Sequence, residues 1–373
     1  MTRSGGPPPA AERTVHFVLP GDVDDPAAPS GGNTYDNRVC RELPAAGWQV
    51  RRHTVRKSRS RAADADAEPA RILRELPDGA VVLLDGIIAC GAPGALLPEA
   101  DRLTLAVLVH LPLADETGLA PGRAAELDAL ERRTLHGVRA VIATSEWAAR
   151  RLVAHHGLDP ARVHVAAPGV DAAPRAPGTD GATRLLCVAS VTPRKGQRRL
   201  VRALAPLADR PWTCDLVGGL DRDPGYVAQL RREIARFGLA ERIRLTGPRT
   251  GAELDARYAA ADLLVLASYA ETYGMVVTEA LARGIPVLAT AVDGVPEAVG
   301  RAADGSVPGL LVPSQDQAAL TAALQRWLAD PELRRGLQAS ARGRRAMLEG
   351  WEMTSRNLAR VLERLRHEPR RAA

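Results

Sequence analysis

Residues 268–287, SYAETYGMVVTEALARGIPV, constrain the fold of this chain more than any other stretch. The polar loop 269–274 leads into an apolar helical run that carries one acid, Glu279. The run stops at Gly284 with Pro286 beyond it, the usual end signals of a helix. The segments 261–266 (ADLLVL) and 286–290 on either side are short, apolar and of strand length. Strand, loop, helix, strand is the repeating unit of a parallel sheet. In an open α/β sheet the loop at the carboxyl end of such a strand is where ligands bind.

The residues of that loop suggest which ligand. The amides near Tyr273 and Met275 are the orphan donors of a helix start and point at an anion such as a diphosphate. Gly274 allows close approach to the backbone. Glu279 lies one turn beyond Met275 on the same helix face, roughly 6 Å along the axis. A carboxylate there would repel a phosphate but can accept hydrogen bonds from a diol such as a ribose. Glu271 is placed in the same way for a second set of hydroxyls. Two acids separated by seven residues around an anion cradle describe a site for a nucleotide sugar.

With 373 residues the chain is long enough for two domains of ordinary size, and 46% hydrophobic residues suffice for proper cores. No apolar run is long enough to span a bilayer, and the N-terminus lacks a charged-then-apolar signal pattern, so a cytoplasmic protein is expected. The four cysteines, Cys40, Cys90, Cys187 and Cys214, have no metal-type spacing and read as free thiols. Net charge is +6, and Lys57 and Lys195 are the only lysines among fifty basic residues. The arginines are spread over the whole chain and aromatics are scarce, which argues against nucleic-acid binding. The basic run 51–61 reads first as a solvated face, with weak peripheral contact to an acidic lipid surface as the sharper alternative.

The pattern along the chain alternates strands and helices twice over. The tail 1–12 is rich in Pro, Gly and Ala and is expected to be disordered. The first strand, 15–19, is followed by a loop ending in Gly31-Gly32 and a helix expected over 33–43. A glycine pair there suits close approach to a phosphate. Strands are expected at 48–55 and 80–84, with a helix at 68–76 between them. The strand 103–109 delivers His110 at its end, where a doubly wound sheet places its site, with Asp115, Glu116 and Thr117 following. Helix 124–135, strand 141–145 and helix 147–156 complete the first half. The stretch 172–181 has linker composition. The second half begins with strand 184–190 and the loop VTPRKG, continues through a strand ending LVGG and a strand at 242–245 leading to TGPR, and returns to the central stretch. DGVPE at 293–297, GLLVP at 309–313, and helices over 316–328, 331–348 and 351–366 follow. The expected units are the tail 1–12, a first domain at 13–175, a second at 176–350, and a closing helix at 351–373.

Glu271 and Glu279 match an E-x7-E pattern, and with PRKG and DGVPE the sequence resembles the retaining glycosyltransferases of family 4. The resemblance is specific over 184–351 and rests on element order and short matches over 15–171. It implies an α/β fold of the GT-B type, with two facing Rossmann-like domains built on parallel sheets and a C-terminal helix returning to the first domain. It implies that Lys195 and Gly196 are the last pair of the family's G-R-L-x-x-x-K-G, whose Arg and Lys bind the donor diphosphate. Ser190 stands where the family usually has Arg, and Arg194 is the candidate replacement. The loop carrying Gly247 and Arg249 would lie against the nucleotide base. Gly31, Gly32, Thr272, Tyr273, Gly274, Met275 and Glu279 would complete the donor site, and His110, Glu271 and Lys195 would be catalytic. The implied reaction moves a hexose-type sugar from a UDP- or GDP-sugar to a small-molecule, glycan or lipid acceptor, with no metal and no cofactor. A nucleotide-sugar epimerase shares this architecture, but E-x7-E together with PRKG argues against it. The Ser190 departure leaves open a catalytically silent binding subunit.

Overall fold

The computed structural model of the chain describes residues 13–25, 29–56, 66–116, 118–179 and 183–368. The expected tail 1–12, the part 57–61 of the basic run, Thr117 and the end of the 172–181 linker lie outside the described residues. The first unit contains β1 (Thr14–Pro20), α1 (Gly31–Glu42), β2 (Gln49–Val55), α2 (Ala67–Arg74), β3 (Val81–Asp85), α3 (Gly86–Gly91), α4 (Pro93–Leu96), β4 (Thr104–Val109), α5 (Pro121–Gly137), β5 (Ala140–Ala143), α6 (Glu146–His156) and β6 (Val163–Val165). The second contains β7 (Arg184–Val188), α7 (Gln197–Leu204), β8 (Thr213–Val217), α8 (Pro224–Arg236), β9 (Ile243–Gly247), α9 (Gly251–Ala259), β10 (Leu263–Leu266), α10 (Met275–Ala282), β11 (Val287–Thr290), α11 (Val295–Val299), β12 (Gly309–Val312), α12 (Gln317–Ala329) and α13 (Pro331–Arg345). The last helix, α14, spans Trp351–His367.

Both sheets are six-stranded and parallel, in the orders β2-β1-β3-β4-β5-β6 and β12-β11-β10-β7-β8-β9. Helices cover both faces, so the central strands are apolar throughout rather than alternating: every residue of β3, β4, β10 and β11 is buried. One face of the first sheet packs Val82, Leu84 and Val107 against Leu73, Leu135 and Leu152 of α2, α5 and α6. The other packs Val15, Phe17 and Leu83 against Tyr35 and Val39 of α1 and against Trp351, Leu358, Val361 and Leu362 of α14. The C-terminal helix therefore completes the core of the first sheet.

The two strand orders locate the functional edge. Counted from β7, the second sheet runs 3-2-1-4-5-6, and its order reverses between β7 and β10; in the first sheet the reversal lies between β1 and β3. Loops leaving these strands diverge to opposite faces and open a crevice.

Several boundaries differ from the sequence expectation. The first helix begins at Gly31 rather than residue 33, because Ser30 caps it by accepting from the Asn33 amide at 3.0 Å, so the glycine pair forms the first turn. Strand β7 ends at Val188, before Ser190. Residues 86–96 fold into two short helices that the sequence reading did not include, the first capped by Asp85. Within DGVPE, Val295 starts the five-residue α11, to which the sequence expectation assigned no element.

Candidate active site

The loops following β7 and β10 touch backbone to backbone at the switch point of the second sheet. Gly196 closes the Pro193–Lys195 turn at φ 67°, and a Cβ there would sit 2.0 Å from the Ala267 carbonyl oxygen. Only glycine fits both the angle and the approach. The Tyr269 amide donates to the Arg194 carbonyl at 2.8 Å, and the Arg194 guanidinium donates to the Ala270 carbonyl at 3.2 Å. Arg194 also lies 3.6 Å from Glu116 of the first domain. The adjacent Lys195 ammonium pairs with the Glu271 carboxylate. The Glu271 amide in turn donates to Asp293 Oδ2 at 2.8 Å, and its carbonyl accepts from the Gly294 amide at 3.1 Å.

Gly274 stands at the head of α10 with φ 92°, and no side chain caps the helix there. The first amides of α10 therefore retain donor capacity at its positive end. One turn on, Glu279 accepts a hydrogen bond from the Tyr258 hydroxyl at 2.7 Å. Burial holds the Glu279 carboxyl above its usual range, against the lowering effect of the Tyr258 bond and Arg283. The Tyr258 hydroxyl is itself pushed up by burial and by Glu279.

Across the crevice, His110 leaves β4 between two buried acids. Its Nε2 lies 2.8 Å from Asp36 Oδ1 and 3.5 Å from Asp85 Oδ2. Burial alone would lower the imidazole pKa, but Asp36 and then Asp85 outweigh it and the net shift is upward. Burial first and the Asp36 charge second raise the Asp85 carboxyl. Tyr35 meets the imidazole edge-on, with ring centroids 5.1 Å apart. Gly32 leaves room for the ring: a Cβ there would come 3.2 Å from His110 Cδ2. A Cβ on Gly31 would lie 3.6 Å from Met275 Sδ, so the glycine pair borders both the histidine and the head of α10.

Several contacts hold the two halves of the site together. Thr272 donates its hydroxyl to the His110 carbonyl at 2.6 Å, and Ser145 donates its hydroxyl to the Thr272 carbonyl at 2.7 Å. Glu297 of α11 accepts from the Glu146 and Trp147 amides at 3.0 and 3.2 Å, capping α6 from the opposite domain. Met275 packs against the core cluster that contains Tyr35 and Trp351.

The structure thus gathers Gly31, Gly32, His110, Arg194, Lys195, Glu271, Thr272, Gly274 and Met275 along one crevice. Glu279 sits one helical turn below it, and Tyr273 is partly buried against the apolar cluster around α10, its hydroxyl pushed up to about 12 by burial. Ser190 follows β7, its carbonyl accepting from Gln197 Nε2 at 2.9 Å. Gly247 ends β9 at φ 73°, its carbonyl accepting from the Gly218 amide at 3.0 Å. Arg249 is turned elsewhere: it pairs with Glu253 at 3.3 Å and lines a groove beneath α9 with Arg244, Asp215 and Arg257. Sequence reasoning missed Asp36, Asp85 and Tyr258, and it read Asp293 only as part of DGVPE. Two of them left a signal. Asp85 is the one polar residue closing the apolar β3, and Asp36 lies four residues after Gly32, on the same face of α1.

Two sets of side chains could hold a metal ion among the described residues. Asp36, Asp85 and His110 offer ligand atoms within 4.8 Å of one another in the crevice, and Asp128, His155 and His156 do so on α5 and α6.

Comparison with known proteins agrees with this geometry. Residues 172–344 match the family profile described as glycosyl transferases group 1, and residues 95–173 match that described as glycosyltransferase family 4. A D-inositol 3-phosphate glycosyltransferase of Jonesia denitrificans is 33% identical over 300 residues, covering 74% of this chain and 70% of that protein. One of Kineococcus radiotolerans is 33% identical over 260 residues, covering 63% of this chain and 59% of that protein. Among solved structures, sucrose-phosphate synthase from Thermosynechococcus elongatus superposes with a TM-score of 0.75 at 24% identity, covering 94% of this chain and 98% of that one. Anabaena HepE, solved in complex with UDP-glucose, does so with a TM-score of 0.74 at 18% identity, covering 94% and 99%. These likenesses establish the fold as GT-B.

Proposed function

Because the chain belongs to glycosyltransferase family 4, a group of GT-B glycosyltransferases, we propose that it transfers a hexose from a UDP- or GDP-sugar to a hydroxyl acceptor, with retention and without a metal ion. The observation that carries this reading is the convergence of Lys195, Glu271, the uncapped head of α10 and His110 on one crevice. A diphosphate placed there meets the Lys195 ammonium and the α10 amides. These stabilise the charge that grows on the leaving group, the largest electrostatic demand of the reaction. The same diphosphate competes with Glu271 for Lys195, which releases the carboxylate to the sugar hydroxyls. His110, fixed by Asp36, faces the sugar from the other domain. Glu279, held by Tyr258, is the acceptor for the ribose hydroxyls.

In the step itself, the bond from the anomeric carbon to the diphosphate oxygen breaks while the acceptor oxygen bonds to the same face of that carbon. The acceptor proton passes to the departing phosphate oxygen, so no protein nucleophile is needed. The curated relatives' name makes an inositol phosphate the first acceptor to test, and the UDP-glucose held by Anabaena HepE makes that sugar the first donor.

The test is to incubate the chain with a panel of UDP- and GDP-sugars, following release of nucleoside diphosphate with and without acceptor, and to determine the anomeric configuration of the product by NMR. Acceptor-stimulated release giving a retained anomer is expected. Inversion, or failure to bind every donor in calorimetry, would remove the reading.

A further inference from the structure

We propose that the first domain carries a site for a divalent transition-metal ion, built from Asp128 of α5 and His155 and His156 of α6. It lies away from the crevice. Helix α6 is capped by Ser145, beside Thr272, and its two histidines close it ten residues later, about 15 Å along the axis.

Two independent observations point to a ligand here. The first is proximity: one ring nitrogen from each histidine and one Asp128 oxygen lie within 4.8 Å of one another, with His155 Nε2 2.5 Å from Asp128 Oδ1. The second is an unsatisfied buried imidazole. His156 is fully buried, and neither of its ring nitrogens has a hydrogen-bond partner. Buried polar side chains are almost always satisfied. Its nearest acid is Glu131 Oε2, one turn along α5 from Asp128. That oxygen is also buried and makes no hydrogen bond, and its 3.4 Å approach to His156 Nε2 is longer than an ordinary hydrogen bond. The His155 and His156 rings meet edge to face with centroids 4.7 Å apart. His136, by contrast, is engaged elsewhere, with its Nε2 2.9 Å from the His156 carbonyl.

The chemistry of the set selects the ion. Two imidazoles with a carboxylate suit Zn²⁺ and its neighbours, whereas Mg²⁺ and Ca²⁺ favour all-oxygen sites. Zinc bonds to nitrogen and oxygen of about 2.0–2.2 Å place tetrahedral ligand atoms about 3.4 Å apart, so the ion would displace the proton shared by His155 and Asp128, open that 2.5 Å pair and draw the His156 nitrogen in. Glu131 then takes the role carboxylates commonly play behind a ligating histidine: it orients the imidazole and fixes its tautomer. With Asp128 it also balances the charge of a dication. Asp128 and His155 are partly exposed, which gives the ion a route from solvent. The ion would tie the end of α6 to the middle of α5.

The experiment titrates the chelator-treated full chain with ZnCl₂ and CoCl₂ under a thiol-free reductant, using calorimetry, the visible spectrum of bound Co²⁺ and the thermal midpoint. One Zn²⁺ per chain, a rise in thermal midpoint and tetrahedral-type Co²⁺ bands are expected. Asp128→Asn and His155→Ala change partly exposed side chains and should fold normally without metal, yet lose at least about 100-fold in Zn²⁺ affinity. Glu131→Gln, nearly isosteric, should lose about 10–100-fold. His110→Ala, in the crevice, should leave the affinity unchanged. The proposal is overturned if the wild-type chain binds no Zn²⁺. It is equally overturned if binding is abolished by His110→Ala and survives Asp128→Asn and His155→Ala, which would place the ion with Asp36 and Asp85 instead.

Discussion

At the scale of single residues, Lys195 is the group on which the proposed mechanism depends most. It is one of two lysines in a chain that otherwise uses arginine, and the family's usual Arg partner is replaced by Ser190. Its neighbour Arg194 is anchored to the Ala270 carbonyl and lies beside Glu116. Lys195→Ala should therefore lower kcat by about 100-fold or more, the range seen on deleting one preorganised charge-stabilising group. Lys195→Arg should rescue only in part, because a compact ammonium and a flat guanidinium fork are not interchangeable. Steady-state kinetics with the best donor checks both, and wild-type turnover in Lys195→Ala would exclude it from the mechanism. Glu279→Ala removes a carboxylate acceptor worth about 1.5–3 kcal/mol, so donor Kd should rise by about 10–100-fold in a folded protein.

His110 supplies a pH prediction at the same scale. Its folded pKa is raised, so the stability it contributes is fully present below the unfolded imidazole value and is lost as pH rises through the folded one. Asp85 is also raised and has the same sign, starting from the ordinary carboxyl range. Asp36→Asn deletes the largest raising contribution while burial remains, so the His110 pKa should fall, in part offset by the easier ionisation of Asp85. An NMR titration of the His110 ring reads this directly, and an unmoved midpoint would mean that Asp36 does not set the charge of the imidazole.

At the scale of elements, the site depends on two loops held against each other rather than on any one helix. Gly196 and Gly294 both occupy positions where a Cβ would lie 2.0 Å from a carbonyl oxygen, of Ala267 and Thr272 respectively. At Gly196 the backbone also has φ 67°. Gly196→Ala adds steric overlap to left-handed strain of about 1–2 kcal/mol, so it should cost at least about 2 kcal/mol in stability. Equilibrium denaturation measures it, and an unchanged midpoint would show that the two loops do not press together as described.

At the scale of the whole molecule, the two domains meet through contacts that belong to the site itself. Glu297 caps α6 across the interface, and Thr272 and Ser145 link the β10 loop to both His110 and the head of α6. Ser145 remains the N-cap of α6 through the Ala148 amide, so Glu297→Ala should free only the first two amides, at a cost of about 1 kcal/mol, and speed hydrogen exchange at Glu146 and Trp147 without disturbing either sheet. Exchange that is unaltered at those amides would mean that the interface does not depend on this cap. No helix among the described residues is long and apolar enough to cross a membrane. The proposed mechanism, in which cations and helix amides take the place of a metal at the diphosphate, requires initial rates to be unchanged in excess EDTA. Activity abolished by EDTA and restored by Mg²⁺ would overturn that mechanism.

The sequence by itself determined what is written in short-range pattern. Apolar runs of strand length, each followed by a loop and a helix, require parallel sheets, and polar residues at the carboxyl ends of those strands mark the functional edge. Glu271, Glu279, Lys195 and His110 were legible for that reason, as was the glycine pair at residues 31 and 32. What the tertiary structure decided is which of these groups face one another. The Lys195–Glu271 pair joins residues 76 apart, and the His110–Asp36 pair joins residues 74 apart, through strand orders that no local pattern encodes. Asp36 shows the limit most clearly. It is one acid on an amphipathic helix until β4 delivers a histidine 2.8 Å away, and only that juxtaposition, in a buried and poorly screened setting, makes it a determinant of the imidazole's charge.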